Sequence, residues 1–301
     1  MGTIVDVSNL EKRYGSYVAV EDVTFSVEEG EIFGILGPNG AGKTSTVESL
    51  QGLRSIEGGE VSVLGMDPRS AAGALRRRIG SQLQESALPD RIKVWEALEL
   101  FSSLHAHGPD WASVMEQWGL AEKRDATFGS LSGGQQQRLF VALALVNDPE
   151  LVFLDEMTTG LDPSSRRVAW DLIRRIRDGG TTVILVTHFM DEAEQLCDRL
   201  VVIDDKRVVA AGEPQELIDR YGGGVRVKFG HDGPDLVWLA EVPHVSGVQK
   251  ERRGYAVTGD GPVLAHVAAA LLERGLAPTD LRLERASLED VFLAITDGNN
   301  S

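Results

Sequence analysis

The 301-residue chain has a single cysteine, Cys197, which excludes an internal disulfide and fits a reducing compartment. Cys197 itself reads as a small packed side chain in a helix. No stretch approaches the ~18 apolar residues that cross a bilayer. The longest apolar run, Leu139 to Val146, has the length of a buried helix segment. Met1 to Tyr14 lacks a basic segment followed by an apolar one, so no signal peptide is expected, and Asp6 stands where an N-myristoylated chain carries Ser or Thr. Positive charge is short: 30 Lys and Arg face 46 Asp and Glu, a formal net charge of −16. Displacing counterions from nucleic acid needs basic surface, so no nucleic-acid partner is expected. Docking on anionic lipid is disfavoured for the same reason, and membrane association is expected to run through a protein partner. The six histidines are scattered, and none pairs with Cys197 at a metal-site spacing.

Glycine, by contrast, is plentiful and placed with purpose. Residues Gly37-Pro38-Asn39-Gly40-Ala41-Gly42-Lys43-Thr44 fit the phosphate-loop pattern G-x-x-x-x-G-K-[ST]. The apolar run Ile32–Leu36 ahead of them predicts a buried strand, and Ser45–Leu50 behind them predicts a helix. Strand, glycine loop and helix in that order point backbone N–H groups and the positive helix end at one place. Glycine there allows close wrapping around an anion. Lys43 adds a point charge for the β- and γ-phosphates, and the Thr44 hydroxyl suits a Mg²⁺ ligand.

The first 224 residues alternate strand-like and helix-like segments, the mark of an α/β sheet. Ile4–Val7, Val23–Val27 and Val61–Leu64 read as an early antiparallel layer. Leu151–Leu154 and Thr182–Val186 are almost wholly apolar, as expected of strands covered on both faces. Leu200–Ile203 and Arg207–Ala210 read as a hairpin. Val94–Asn147 is predominantly helical in pattern, an insertion in which Trp95, Trp111 and Trp118 serve core packing. Tyr221–Gly224 is the candidate boundary. Beyond it strands are expected at Val225–Phe229, Leu236–Val242, Gln249–Val257 and Leu281–Glu284, with helices at Pro262–Arg274 and Leu288–Ile295. Residues 225–301 hold eleven acids and eight bases, so most of the negative charge lies upstream.

Two further constellations carry chemistry. Leu151-Val152-Phe153-Leu154-Asp155-Glu156 ends a buried strand in paired carboxylates. In a parallel sheet that end meets the phosphate loop, so Asp155 can reach a Mg²⁺ shell and Glu156 can orient or deprotonate a water. Leu131-Ser132-Gly133-Gly134-Gln135 precedes an apolar helix over Arg138–Val146 and offers a second anion site at a helix start. One phosphate loop and one extra anion site per chain pose a stoichiometric puzzle, which two copies arranged head to tail resolve.

At this point the chain resembles the nucleotide-binding subunit of an ABC transporter over residues 1 to about 220. Gly37–Thr44 is similar to its Walker A motif, Leu131–Gln135 is identical to its signature pentad, and Leu151–Glu156 is similar to Walker B, followed by the D-loop Gly160-Leu161-Asp162. Gln84 matches the Q-loop, with Gln82 as the other register. His188 in Thr187-His188 matches the switch histidine, and Tyr14 matches the aromatic residue that stacks on adenine. The resemblance implies an α/β P-loop NTPase of ABC type, with mixed sheet, antiparallel β layer and helical subdomain (about 85–147), spanning 1–220, plus a small α+β domain at 225–301. It implies ATP and Mg²⁺ as cofactors. The expected nucleotide contacts are Tyr14, Gly37 to Ser45, and Ser132, Gly133, Gly134, Gln135 and Asp162. Thr44, Gln84 and Asp155 are the expected Mg²⁺ ligands, and Lys43, Gln84, Glu156 and His188 the catalytic set. Met157 departs from the family, whose members usually carry proline there; proline would restrict Glu156, and methionine relaxes that.

Thr187–Glu194 and the ending Ser287–Leu293 resemble the exporter branch that moves drugs, antibiotics or lipids. The expected function is therefore an ATPase subunit that energises export through a separate membrane permease, peripheral on the cytoplasmic face, pairing with a second ATPase subunit. The permease is expected to dock near Gln84–Lys93. An importer ATPase, or a soluble ABC ATPase acting on a macromolecular complex, is the alternative.

Overall fold

The computed structural model describes residues 2–82, 88–105, 108–222 and 224–298. The chain divides into two compact units, Met1–Pro214 and Gln215–Ser301. The first opens with the hairpin β1 (Thr3–Tyr14) and β2 (Tyr17–Glu28), then β3 (Ile32–Leu36), α1 (Lys43–Leu50), β4 (Gly58–Val63), α2 (Pro68–Leu75) and β5 (Ile79–Gln82). Helices α3 (Val94–Ser103), α4 (Trp111–Gln117) and α5 (Gly133–Leu145) follow. The unit closes with β6 (Leu151–Asp155), α6 (Pro163–Asp178), β7 (Thr182–Thr187), α7 (Met190–Leu196), β8 (Arg199–Asp204) and β9 (Arg207–Gly212). Among the described residues, no helix is long and apolar enough to cross a membrane.

Two sheets make this unit. The expected antiparallel layer has the order β2-β1-β4, and the second sheet runs β5-β6-β7-β3-β8-β9, parallel except for β9. Strands β3, β6 and β7 are buried at every position, which is why their sequences are apolar without alternation. Phe25 of the layer stacks on Phe33 of the sheet, ring centres 5.3 Å apart, in the core between them. Gly34 is small because Cys197 closes on it: a Cβ would lie 2.8 Å from the Cys197 Sγ. The β8–β9 hairpin turns through Asp205 and Lys206, both at positive φ, which matches the twist of the strands it joins.

The sheet order places the ends of β3, β6 and β7 side by side. Register pairs Leu36 with Thr187 and Asp155 with Val186, so the phosphate loop, the paired carboxylates and His188 all leave the sheet at one edge. Parallel strands must deliver their carboxyl ends together, and ligands collect there.

The second unit begins in α8 (Pro214–Tyr221) and holds β10 (Val225–Phe229), β11 (Val245–Glu251), β12 (Gly254–Gly259), α9 (Val263–Glu273), β13 (Arg282–Arg285) and α10 (Leu288–Gly298). Its antiparallel sheet has the order β11-β12-β10-β13, the split βαβ arrangement with the first helix reduced to one 3₁₀ turn. Two expectations are corrected. Leu236–Val242 is no strand: Leu236, Leu239 and Val242 are buried at every third position, the 3₁₀ period, while Val237 stands 72% exposed. Gln249–Val257 is two strands. Arg252-Arg253 make the turn, and only glycine fits at 254, where a Cβ would lie 2.0 Å from the Phe229 carbonyl oxygen. Val263, Val267 and Leu271 of α9 bury against this sheet as their spacing predicts.

Candidate functional site

The phosphate loop follows β3, an interior strand of the parallel sheet, and is shaped by contacts far away in sequence. Gly37 has φ 151°, and a Cβ there would sit 2.0 Å from the Ile203 carbonyl oxygen. Gly42, at φ 108°, would bring one within 2.5 Å of the Ala19 carbonyl oxygen. Both glycines are therefore enforced by tertiary packing. Helix α1 has Gly42 as its N-cap, with no side-chain cap and no acid in its first turn. Its leading N–H groups are thus left for an external anion.

Lys43 is 5% exposed, and its Nζ donates to the carbonyl oxygens of Gly37 at 2.8 Å and Pro38 at 3.1 Å. Burial lowers its pKa, while Glu156 and Asp155 oppose that shift. Asp155 is 3% exposed; burial first, then the neighbouring Glu156, push its carboxyl up to about 6, with Lys43 pulling the other way. Its Oδ1 is buried and accepts no hydrogen bond. A buried anionic oxygen without a donor, beside a loop that presents the Thr44 hydroxyl, fits a hard cation with oxygen ligands.

Glu156 follows at φ 48°, a left-handed conformation uncommon for a side-chain-bearing residue. Its N–H donates to the Val186 carbonyl at 2.9 Å. Its Oε1 lies 3.2 Å from His188 Nδ1, although that nitrogen is in no hydrogen-bonding geometry. Met157 is buried at 3% exposure and leaves the Glu156 backbone freer than proline would.

Tyr14, Asn39, Gly40, Gly42, Lys43, Thr44, Ser45 and Glu156 line one cleft of about 300 Å³. Tyr14 is 41% exposed, its hydroxyl 3.5 Å from the Ser45 Oγ and the Lys12 ammonium 4.9 Å from its ring centre. Tyr17 and Ala19, which the motifs do not mark, also line this cleft. In the sequence Tyr17 is marked only as a second tyrosine across Gly15-Ser16, and the β1–β2 register pairs it with Tyr14.

Ser132, Gly133, Gly134 and Gln135 line a different cleft, about 430 Å³, shared with Gly160, Leu161 and Asp162. The two clefts have no lining residue in common. Helix α5 begins at Gly133, five residues earlier than the expected Arg138, because Gln135 folds back to accept the Ser132 N–H at 3.0 Å and closes the first turn. Asp162 caps α6, accepting from the N–H groups of Ser164 and Ser165 and from both hydroxyls, which hold its carboxyl well below the usual range. Gln84 lies outside the described residues. Gln82, the other register, ends β5 and accepts from Gln137 Nε2 at 3.3 Å. A roomier cleft of about 640 Å³ opens in the second unit beside Phe229, Leu271 and Pro278, but no glycine phosphate loop borders it. Size alone does not mark the site.

Residues 20–159 match the family profile described as ABC transporter. The chain is 38% identical over 303 residues to the daunorubicin resistance ATP-binding protein DrrA3 of Streptomyces coeruleorubidus, covering 98% of this chain and 96% of that protein. It is 39% identical over 298 residues to the Nod factor export ATP-binding protein I of Mesorhizobium japonicum, covering 97% of this chain and 86% of that one. Among solved structures, cbiO1 from Clostridium perfringens, part of the ABC transporter complex cbiONQ, matches with a TM-score of 0.66 at 26% identity. That match covers 73% of this chain and 92% of the other.

Proposed function

Because the chain belongs to the ABC transporter family, as one of its ATP-binding proteins, we propose that it is the ATP-hydrolysing subunit of an exporter and works through a membrane permease. Its cargo is an amphipathic molecule such as a drug, antibiotic or lipid. That reading leans on relatives of near-equal length that are named for drug resistance and for Nod factor export. The subunit acts from the cytoplasmic face, held at the membrane by the permease.

ATP lies in the loop cleft with its base on Tyr14. Backbone N–H groups from Gly40 to Ser45 receive the phosphates, and Lys43 exchanges its two carbonyl partners for phosphate oxygens. Thr44, Asp155 and Gln84 would hold Mg²⁺, which supplies positive charge against the phosphoryl oxygens. Glu156 orients the attacking water and takes its proton, while His188 steadies the γ-phosphate side. The observation that carries the reading is the separation of the signature cleft from the loop cleft. A single chain leaves the nucleotide open on one side. A second copy, set head to tail, brings Ser132, Gly134 and Asp162 over it, so ATP joins the copies and hydrolysis releases them.

Glu156→Gln tests this directly. The variant is expected to bind MgATP as the parent does, hydrolyse it at least about 100-fold more slowly, and accumulate as an ATP-held dimer in light scattering. A variant that stays monomeric with ATP, or that hydrolyses faster than the parent, refutes the assignment.

A further inference from the structure

Beneath the site lies a carboxyl that the mechanism above does not use. Glu192 of α7 is 0% exposed. Its Oε1 accepts the indole N–H of Trp170, on α6, at 3.0 Å. The hydroxyls of Thr187 and Thr158 also face it, and burial raises its pKa against their pull. Glu192 Oε2 and Thr158 Oγ1 are both buried without a partner in bonding geometry. A hydroxyl can donate to a carboxyl oxygen, so these two orphan atoms suit one another.

The partners are placed where they matter. Thr158 follows Glu156 by two residues, and the loop between is pinned by the Thr159 N–H to the Glu156 carbonyl at 3.1 Å. Thr187 ends β7 immediately before His188, and its Oγ1 accepts the Phe189 N–H at 3.0 Å. Trp170 stands on the helix that Asp162 caps. One buried carboxyl therefore meets the three segments that carry Glu156, His188 and Asp162. An apolar side chain of similar size would fill this space at lower cost, since a buried acid with an unpaired oxygen is destabilising. Glu156 also needs bracing: a left-handed backbone at a residue with a side chain persists only where its surroundings hold it.

We infer that Glu192 is a positioning residue for ATP hydrolysis, holding the loop after Glu156 and the strand end before His188 in fixed relation through Thr158, Thr187 and Trp170. The inference rests on reading the loop cleft as the hydrolytic site.

The test uses the full-length chain, with MgATP turnover and the affinity of a non-hydrolysable ATP analogue measured separately. Glu192→Gln keeps an acceptor for Trp170 and a polar partner for Thr158, so kcat is expected within about threefold of the parent. Glu192→Ala removes both and is expected to lower kcat about tenfold or more, with analogue Kd unchanged within about twofold. Thr158→Val and Trp170→Phe delete one contact each and should give intermediate losses in kcat; they decide the matter if the alanine variant does not fold. Parental kcat in a folded Glu192→Ala, or in both single-contact variants, overturns the inference. So does a loss confined to nucleotide affinity, or a glutamine variant as impaired as alanine. Should the parent's hydrolysis survive Glu156→Gln, the reading of the site fails first and this inference falls with it.

Discussion

Replacing Lys43 by methionine separates two roles that one ammonium plays. In the free chain it is almost fully buried and bonded to the Gly37 and Pro38 carbonyls at 2.8 and 3.1 Å. Methionine keeps most of the buried stem, removes the desolvation burden that lowers the lysine pKa, and leaves the Gly37 and Pro38 carbonyls without their ammonium donor. Those changes oppose one another, so folding stability is expected to move by about 1 kcal/mol or less. Affinity is another matter. A hydrogen bond to a charged group contributes about 1.5–3 kcal/mol, and Lys43 exchanges two carbonyl contacts for two anionic ones. Both sets are charge-assisted, so the net difference is the ammonium–phosphate attraction, about 4 kcal/mol at ~4 Å and an effective dielectric of about 20. Allowing for desolvation, about 3 kcal/mol of ATP binding should vanish, or about two decades in Kd. Calorimetric titration with a non-hydrolysable analogue, set beside urea unfolding of both proteins, reads the two quantities independently. An affinity loss below about threefold refutes the phosphate role. A loss matched by an equal fall in stability shows instead that Lys43 only braces the loop.

Gly37→Ala should destabilise the fold by about 3 kcal/mol or more, because its Cβ meets a backbone oxygen at 2.0 Å. Gly40→Ala, at φ 83° with nothing within 4 Å, should lose only about 1 kcal/mol, and equal unfolding midpoints for the two would contradict the geometry. Glu192→Gln carries a pH signature. Burial raises the folded-state pKa of Glu192, so its stabilising contribution is complete below the ordinary glutamate range and is lost as pH rises through the raised value. The melting temperature of the glutamine variant should gain on the parent as pH rises above the ordinary glutamate range, and a constant difference would show that Glu192 does not resist ionisation.

The fold class was legible because its signals are local. Short, almost wholly apolar runs such as Leu151–Leu154 and Thr182–Val186 are expected of strands covered on both faces, and Gly37–Thr44 between a strand and a helix reads as a phosphate loop. Where the reading failed, two local patterns competed. Leu236–Val242 is as apolar as a strand, and only the choice of which side chains turn inward reveals a period of three. Gln249–Val257 hides a turn whose glycine answers to the Phe229 carbonyl twenty-five residues earlier.

Composition and periodicity determined the α/β architecture, the phosphate loop and the paired acids, since each is written in a few consecutive positions, while Tyr14, Gln84, Asp162 and His188 came only from the resemblance to a family. Tertiary structure alone decided which of them share a cleft. It set the register that brings Asp155 and His188 to one sheet edge, and the approach of Ile203 and Ala19 that makes Gly37 and Gly42 obligatory. It also decided the buried placement of Glu192 against Trp170 and the separation of Ser132 from Lys43. The reason is range. A side-chain pattern encodes which face of its own element is buried, but neighbours in a sheet are chosen by strand order, which brings together residues more than a hundred positions apart.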